Sequence, residues 1–217
     1  MVTGARWGTI MAMTADLLRL TQWLSPAFPV SGYAYSHGLE TAMASGRVAG
    51  ARDVQDWASH VLRFGAGPLD VWAIRAVMGG DDPGEVAEVL QARAGCAERW
   101  QETRDQGAAF ATVTTGMGEP PIPDLPLPVA LGLRARGMAA DVVAMLYLQG
   151  FAGQLVSAAT RFLPLGQTEA QTVLRALHPV IAEVAARTDT DPPGGAALMA
   201  DLDAMRHETL QPRIFRT

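Results

Sequence analysis

Val142-Val-Ala-Met-Leu-Tyr-Leu-Gln-Gly-Phe-Ala-Gly-Gln-Leu-Val-Ser-Ala-Ala-Thr160 runs without a single charge, and its reading decides the fold. As a helix it reaches about 28 Å, close to the roughly 30 Å hydrocarbon core of a bilayer. Only its Val, Leu and Phe residues favour insertion, by ~0.3–0.6 kcal/mol each. Gln149, Gln154, Ser157 and Thr160 oppose them, and Asp141 and Arg161 close the ends. The balance is near zero, so the stretch reads as the buried central helix of a bundle, from about Ala139 to Leu163, and not as a membrane span. Gly150, Gly153 and Ser157 share one face, which permits close approach by another helix.

Helix punctuation continues on both sides. Downstream, Thr168-x-x-Gln171 reads as a capping box. Val173, Leu174, Leu177, Val180, Ile181 and Val184 form an apolar stripe that Pro179 should kink or split. Asp191-Pro-Pro-Gly-Gly195 reads as a loop before a last helix, Ala196 to Arg206. Upstream, Pro120, Pro121, Pro123, Pro126 and Pro128 mark a linker between helical layers. Asp82-Pro83-Gly84-Glu85 carries a capping Asp, a Pro at the first helical position and a Glu two residues on, predicting a helix to about Arg93. A further helix is expected from about Cys96 to Thr115. Asp53 is expected to cap a helix with Val54, Trp57, Ala58, Val61 and Leu62 on one face, ended by Gly65, Gly67 and Pro68. Leu69–Met78, Leu39–Ala44 and Asp16–Leu24 also read as helices. There is almost no strand alternation and no internal repeat. The fold class is all-α: one helical bundle of about nine or ten helices.

The chain has 217 residues and a formal net charge of −5, with 22 acidic against 17 basic side chains. No basic run exists, which argues against nucleic acid, since phosphate binding needs clustered cations. All 17 of those basic residues are arginines. Without lysine the chain has neither the P-loop amine nor a Schiff-base amine. The single cysteine, Cys96, forms no internal disulfide and reads as a small buried hydrophobe. No signal-peptide pattern occurs near Met1, so a cytoplasmic location is expected.

The search for chemistry finds little. His37, His60, His178 and His207 are never paired at helical ligand spacing, and His207-Glu208-Thr209-Leu210-Gln211 lacks the second histidine of a zinc-protease motif. No metal and no cofactor are expected. Ser36 beside His37 reads as a helix-start serine. Two enzymatic alternatives stay open, Ser36 with His37 and Glu40, or Glu102 with Arg104, as does metal binding through Cys96 or histidines.

Two segments stand out. Ser25-Pro-Ala-Phe-Pro-Val-Ser-Gly-Tyr-Ala-Tyr-Ser-His-Gly-Leu-Glu40 is rigid, aromatic and irregular, the composition of a shaped surface. Tyr35 and Leu39 read as core candidates that hold His37 and Glu40. Met205-Arg-His-Glu-Thr-Leu-Gln-Pro-Arg-Ile-Phe-Arg216 sets Leu210, Ile214 and Phe215 among Arg206, Arg213 and Arg216. Apolar anchors among arginines suit a docking segment, and they equally suit packing on the chain's own domain.

Together these segments resemble the UreF family of urease accessory proteins. Ser25 to Glu40 is similar to its S-P-x-x-P-V-x-x-(F/Y)-x-Y-S-x-G-L-E signature. Glu102-Thr-Arg-Asp-Gln-Gly107, Arg161-Phe-Leu-Pro-Leu-Gly-Gln167 and Asp203-Ala-Met-Arg-His-Glu208 with Arg213-Ile-Phe-Arg216 resemble its later motifs, in the family's order. Ile214, Thr217 and Gln211-Pro212 depart from the usual tail. The resemblance implies residues 14–206 as an all-α domain and 207–217 as a partner-docking tail; residues 1–13 fall outside it and are expected as an extension prone to disorder. It implies a homodimer that acts in nickel insertion into apo-urease without catalysis, bridging UreD/UreH and the GTPase UreG. The residues it marks for partner binding are Tyr35, Ser36, His37, Gly38, Leu39, Glu40, Arg206, His207, Glu208, Arg213, Phe215 and Arg216.

Overall fold

The structure, a computed structural model, describes residues 3–217, with side chains described from Met13 onward. Among the described residues there are α-helices and a 3-10 turn, Gly32–Ala34, and no strand. In order the helices are α1 Thr3–Trp23, α2 Leu39–Ala44, α3 Ala51–Phe64, α4 Ala66–Gly79, α5 Pro83–Arg93 and α6 Ala97–Gly116. They continue with α7 Leu127–Arg134, α8 Ala140–Phe162, α9 Gln167–Ala176, α10 His178–Ala185 and α11 Leu198–His207. The all-α fold read from the sequence is the fold observed. Of the stretch expected as an extension, residues 1–2 lie outside the described residues, and the backbone from Thr3 onward belongs to α1.

The uncharged stretch forms α8, and α8 is the hub. It packs against α2, α3, α4, α9 and α10, and α1 crosses it. Val143, Leu148, Leu155 and Val156 lie in a continuous core with Leu39, Val61, Ile74 and Ile181. It is long and apolar enough to cross a membrane, yet about half of that apolar window, 56%, is buried inside the protein. A Cβ on Gly153 would meet nothing within 4 Å, and one on Gly150 would meet only Leu24 O, just past α1, at 3.4 Å. Gly150, Gly153 and Ser157 instead line a cavity of about 120 Å³ with Trp23, Phe28 and Tyr33. The Ser25–Val30 segment is too irregular to press a second helix into that groove.

Local rules explain some of the helix ends. Asp82 caps α5, its carboxylate accepting from Gly84 N at 2.8 Å and Glu85 N at 3.1 Å. Asp82→Ala is therefore expected to cost about 1 kcal/mol, read from urea unfolding; a neutral result would show that the cap adds nothing. Pro179 splits its stripe into α9 and α10. Other expectations fail. Gly65 ends α3, but Gly67 and Pro68 lie in the first turn of α4. Asp53 does not cap α3, which starts earlier, at Ala51, and its carboxylate reaches back to Ala49 N at 2.9 Å. Thr168 caps nothing, because α9 already starts at Gln167 after Gly166. The proline linker also contains the start of α7, since Pro128 falls in the first turn, where its missing N–H leaves no bond unmade.

Cys96 is the N-cap of α6 and not a buried hydrophobe. Its Sγ accepts from Arg99 N at 3.4 Å, and it is half-buried. Burial pushes the thiol upward.

Candidate functional site

The two distinctive segments lie against one another. His37 (φ 60°) and Gly38 (φ 81°) both take the left-handed conformation, which reverses the chain just before α2. Glycine is required at 38 on a second ground. A Cβ there would stand 2.7 Å from Ala204 N, where α2 crosses α11. Ser36 brackets the turn. Its hydroxyl accepts from Glu40 N at 3.2 Å and donates to the main-chain oxygen of Thr217, which also accepts from Ser36 N at 2.8 Å.

The residues after α11 fold back over this turn. Glu40 Oε1 accepts from Ile214 N at 2.6 Å, and Oε2 accepts from Phe215 N at 2.9 Å. Arg216 N donates to Ala34 O at 2.8 Å. Arg161 stacks on the Phe215 ring, 4.4 Å from its centroid, and donates to Tyr33 O. His207 is fully buried between two carboxylates, with Nε2 at 2.9 Å from Glu40 and Nδ1 at 2.7 Å from Glu98. The other Glu98 oxygen takes Arg213 Nη1 at 2.6 Å. Glu208 turns the opposite way and accepts from Ala97 N at 3.0 Å, at the positive end of α6. Asp203, also fully buried, is gripped by the fork of Arg47.

Beneath the clasp lies a second layer of buried charge. Glu102 Oε2 is 3.4 Å from His37 Nδ1 and accepts from Thr217 Oγ1 at 3.3 Å. Asp70 Oδ2 accepts from Arg99 at 2.9 Å and from Tyr147 Oη at 2.7 Å. Burial pushes Glu102 up, but Arg99, His37 and Thr217 outweigh it and leave the carboxyl below its usual range. Burial pushes Asp70 up, and Arg99 and Tyr147 only partly offset it. Tyr35, desolvated and facing Asp105, is pushed up to about 12.

Tyr35, Ser36, Leu39, Glu40, His207 and Phe215 are thus buried within the clasp. Arg206, Glu208, Arg213 and Arg216 face solvent on its outer side, beside exposed Ile214 and Tyr33. His37 and Glu102 come together, but Ser36 spends its hydroxyl on Thr217. Arg104 is exposed over Trp100, while Glu102 is buried. Neither serine chemistry nor a Glu102–Arg104 pair is assembled. Among the described residues no group of three or more His, Cys, Asp or Glu is placed to hold a metal ion. A cavity of about 320 Å³ adjoins this layer, with Arg93, Arg99, Asp70 and Asp201 on its wall.

Sequence reading missed Glu98, Asp70 and Arg99. One signal was available for the first. Glu98 and Glu102 are like charges at i, i+4, which destabilise a lone helix and so ask for cations from elsewhere.

The family model UreF matches residues 48–178. A urease accessory protein UreF of Cereibacter sphaeroides is 50% identical over 210 residues, covering 94% of this chain and 100% of the relative. Proteins of the same name from Dinoroseobacter shibae and Paracoccus denitrificans are 49% and 43% identical, covering 94% and 96% of this chain and 100% of each relative.

Proposed function

The chain belongs to the UreF family of urease accessory proteins, and on that footing we propose that it is a cytoplasmic scaffold, without chemistry of its own, in nickel insertion into apo-urease. In this reading it bridges the accessory protein UreD/UreH and the GTPase UreG, and it works as a homodimer. Nickel is cargo passed between those proteins, and a nucleotide sits on the GTPase, because this chain has no lysine for a P-loop.

The observation that carries the reading is the clasp. Family signature residues from the two halves of the chain are spent on holding each other, and what they present outward is a rim of Tyr33, Ile214, Arg213 and Arg216. An apolar anchor flanked by arginines is the composition of an interface hot spot. Arginine forks suit a partner's carboxylates or carbonyl oxygens. The buried members, Glu40 and His207 foremost, set the rim's shape and do not touch the partner in this arrangement.

Ile214→Arg tests this reading. The side chain is 65% exposed, so the change leaves the fold intact while placing a bulky charge at the centre of the rim. Capture of purified UreD by the variant is expected to weaken at least about tenfold, with an unchanged melting temperature. Full affinity would place the docking surface elsewhere.

A further inference from the structure

We propose that the face around Tyr33 and Ile214 receives an acidic segment of a protein partner, with Arg161 and Arg216 taking carboxylates that flank an apolar side chain. This rests on the docking surface proposed above and adds what the docked segment must carry. It also brings in Arg161, which lies outside the residues that the resemblance marks for partner binding.

The chain as a whole is acidic, with a formal net charge of −5. The outer side of the clasp runs against that average, since Arg161, Arg206, Arg213 and Arg216 all reach solvent there. Arg213 is paired with Glu98, and Arg206 leans toward Asp203. Arg161 has no ion pair among the described residues. Its guanidinium rests on the Phe215 ring and donates to Tyr33 O. A guanidinium carries five donors and keeps its charge at any physiological pH, so most of those donors and the whole charge stay open. Arg216 Nη1 stands 3.8 Å from Asp105 Oδ2, beyond hydrogen-bond reach. Asp105 is already taken by Gln101 at 2.6 Å and by Tyr35 Oη at 3.3 Å.

Both guanidinium groups are oriented before anything docks. Arg161 lies on Phe215, and Arg216 lies over Tyr35, 5.8 Å from its centroid. Arg161 holds Tyr33 O, and Arg216 N holds Ala34 O at 2.8 Å. The two arginines are thus pinned to one turn, Gly32–Ala34, beside which Tyr33 and Ile214 are both largely exposed. Side chains already ordered lose little freedom on binding, and a fixed guanidinium fork matches a carboxylate.

A nucleic-acid strand fits this face poorly. A phosphate backbone calls for clustered cations, whereas Asp105 and Glu208 reach solvent among these arginines. Separate carboxylates around an apolar residue meet the guanidinium groups and leave Tyr33 and Ile214 an apolar contact. On a net acidic chain, a cationic face also orients an acidic partner during approach.

The test compares two signs of charge at one position. Ile214→Arg and Ile214→Glu remove the same apolar contact, but only the second sets a negative charge against a negative segment. With purified UreD as the probe, Ile214→Glu is expected to bind at least about fivefold more weakly than Ile214→Arg, a difference that fades as NaCl rises from about 50 to about 500 mM. Arg161→Gln is expected to weaken capture about three- to tenfold at low salt, and Arg161→Lys, which keeps the charge without the fork, should recover part of that loss. Loosening of the clasp alone would affect the Gln and Lys variants alike and would show as lost protection of the Phe215 amide. In that case Arg216→Gln, on a side chain 65% exposed, carries the same expectation. Full capture by both Ile214 variants would remove the docking surface, and this proposal with it. Equal losses for the two signs, or a parent affinity indifferent to salt, would leave the surface standing and overturn the acidic segment. Single-stranded DNA that displaces UreD at constant ionic strength would point to a phosphate backbone and overturn it too.

Discussion

Replacing Glu40 by alanine is expected to release the 208–217 segment and lower stability by about 3–5 kcal/mol. The side chain is 1% exposed, and its two oxygens accept from Ile214 N, Phe215 N and His207. Truncation strands two main-chain donors and a buried imidazole nitrogen, each costly to leave unpaired. The loss has a ceiling. Once it exceeds the free energy of docking, the segment swings out and water satisfies those groups. Protection of the Ile214 and Phe215 amides should therefore fall at least about a hundredfold, while far-UV circular dichroism retains most of its helical signal. Glu40→Gln keeps one acceptor oxygen and loses the charge, so it should fall between parent and alanine variant. A drop of under about 1 kcal/mol in the alanine variant would mean that the clasp is held elsewhere, at Phe215 and Arg161.

Gly107→Ala should be as damaging, although the same change usually helps a helix. In an exposed helix interior, alanine is favoured over glycine by about 1 kcal/mol. Here α6 lies directly against the proline segment. A Cβ on Gly107 would stand 1.9 Å from Leu125 O and 2.8 Å from both Leu127 N and the Pro126 carbonyl carbon. All three are main-chain atoms, so no rotamer change makes room, and α6 must part from the start of α7. The expected loss is about 3 kcal/mol, near the upper end for overpacking, and a melting temperature lower by roughly 6–12 °C. A neutral or raised melting temperature would contradict the close approach. Because α6 also carries Glu98 and Glu102, the shift should loosen the clasp as well, visible as lost protection at Phe215.

Both expectations turn on contacts between residues far apart in the chain. That distance marks what sequence reading could and could not reach. The helix at Leu39–Ala44 and the helix from Pro83 to Arg93 were legible to the residue, because caps, prolines and apolar spacing act within about four positions. Where two local signals competed, the reading slipped. Thr168 lost to a start at Gln167, and five prolines hid the first turn of α7.

The sequence by itself determined an all-α chain built around α8, the lack of a lysine for phosphate or imine chemistry, and two unusual segments that resemble family motifs. It left open whether the tail meets a partner or its own domain. Only the tertiary structure decided that the tail closes on its own turn, with Glu40 and His207 joined across 167 positions. The reason is physical. Burial removes water as a competitor, so a carboxylate and an imidazole that would ignore each other on a solvated chain become partners, and no local pattern encodes which groups the fold will enclose together.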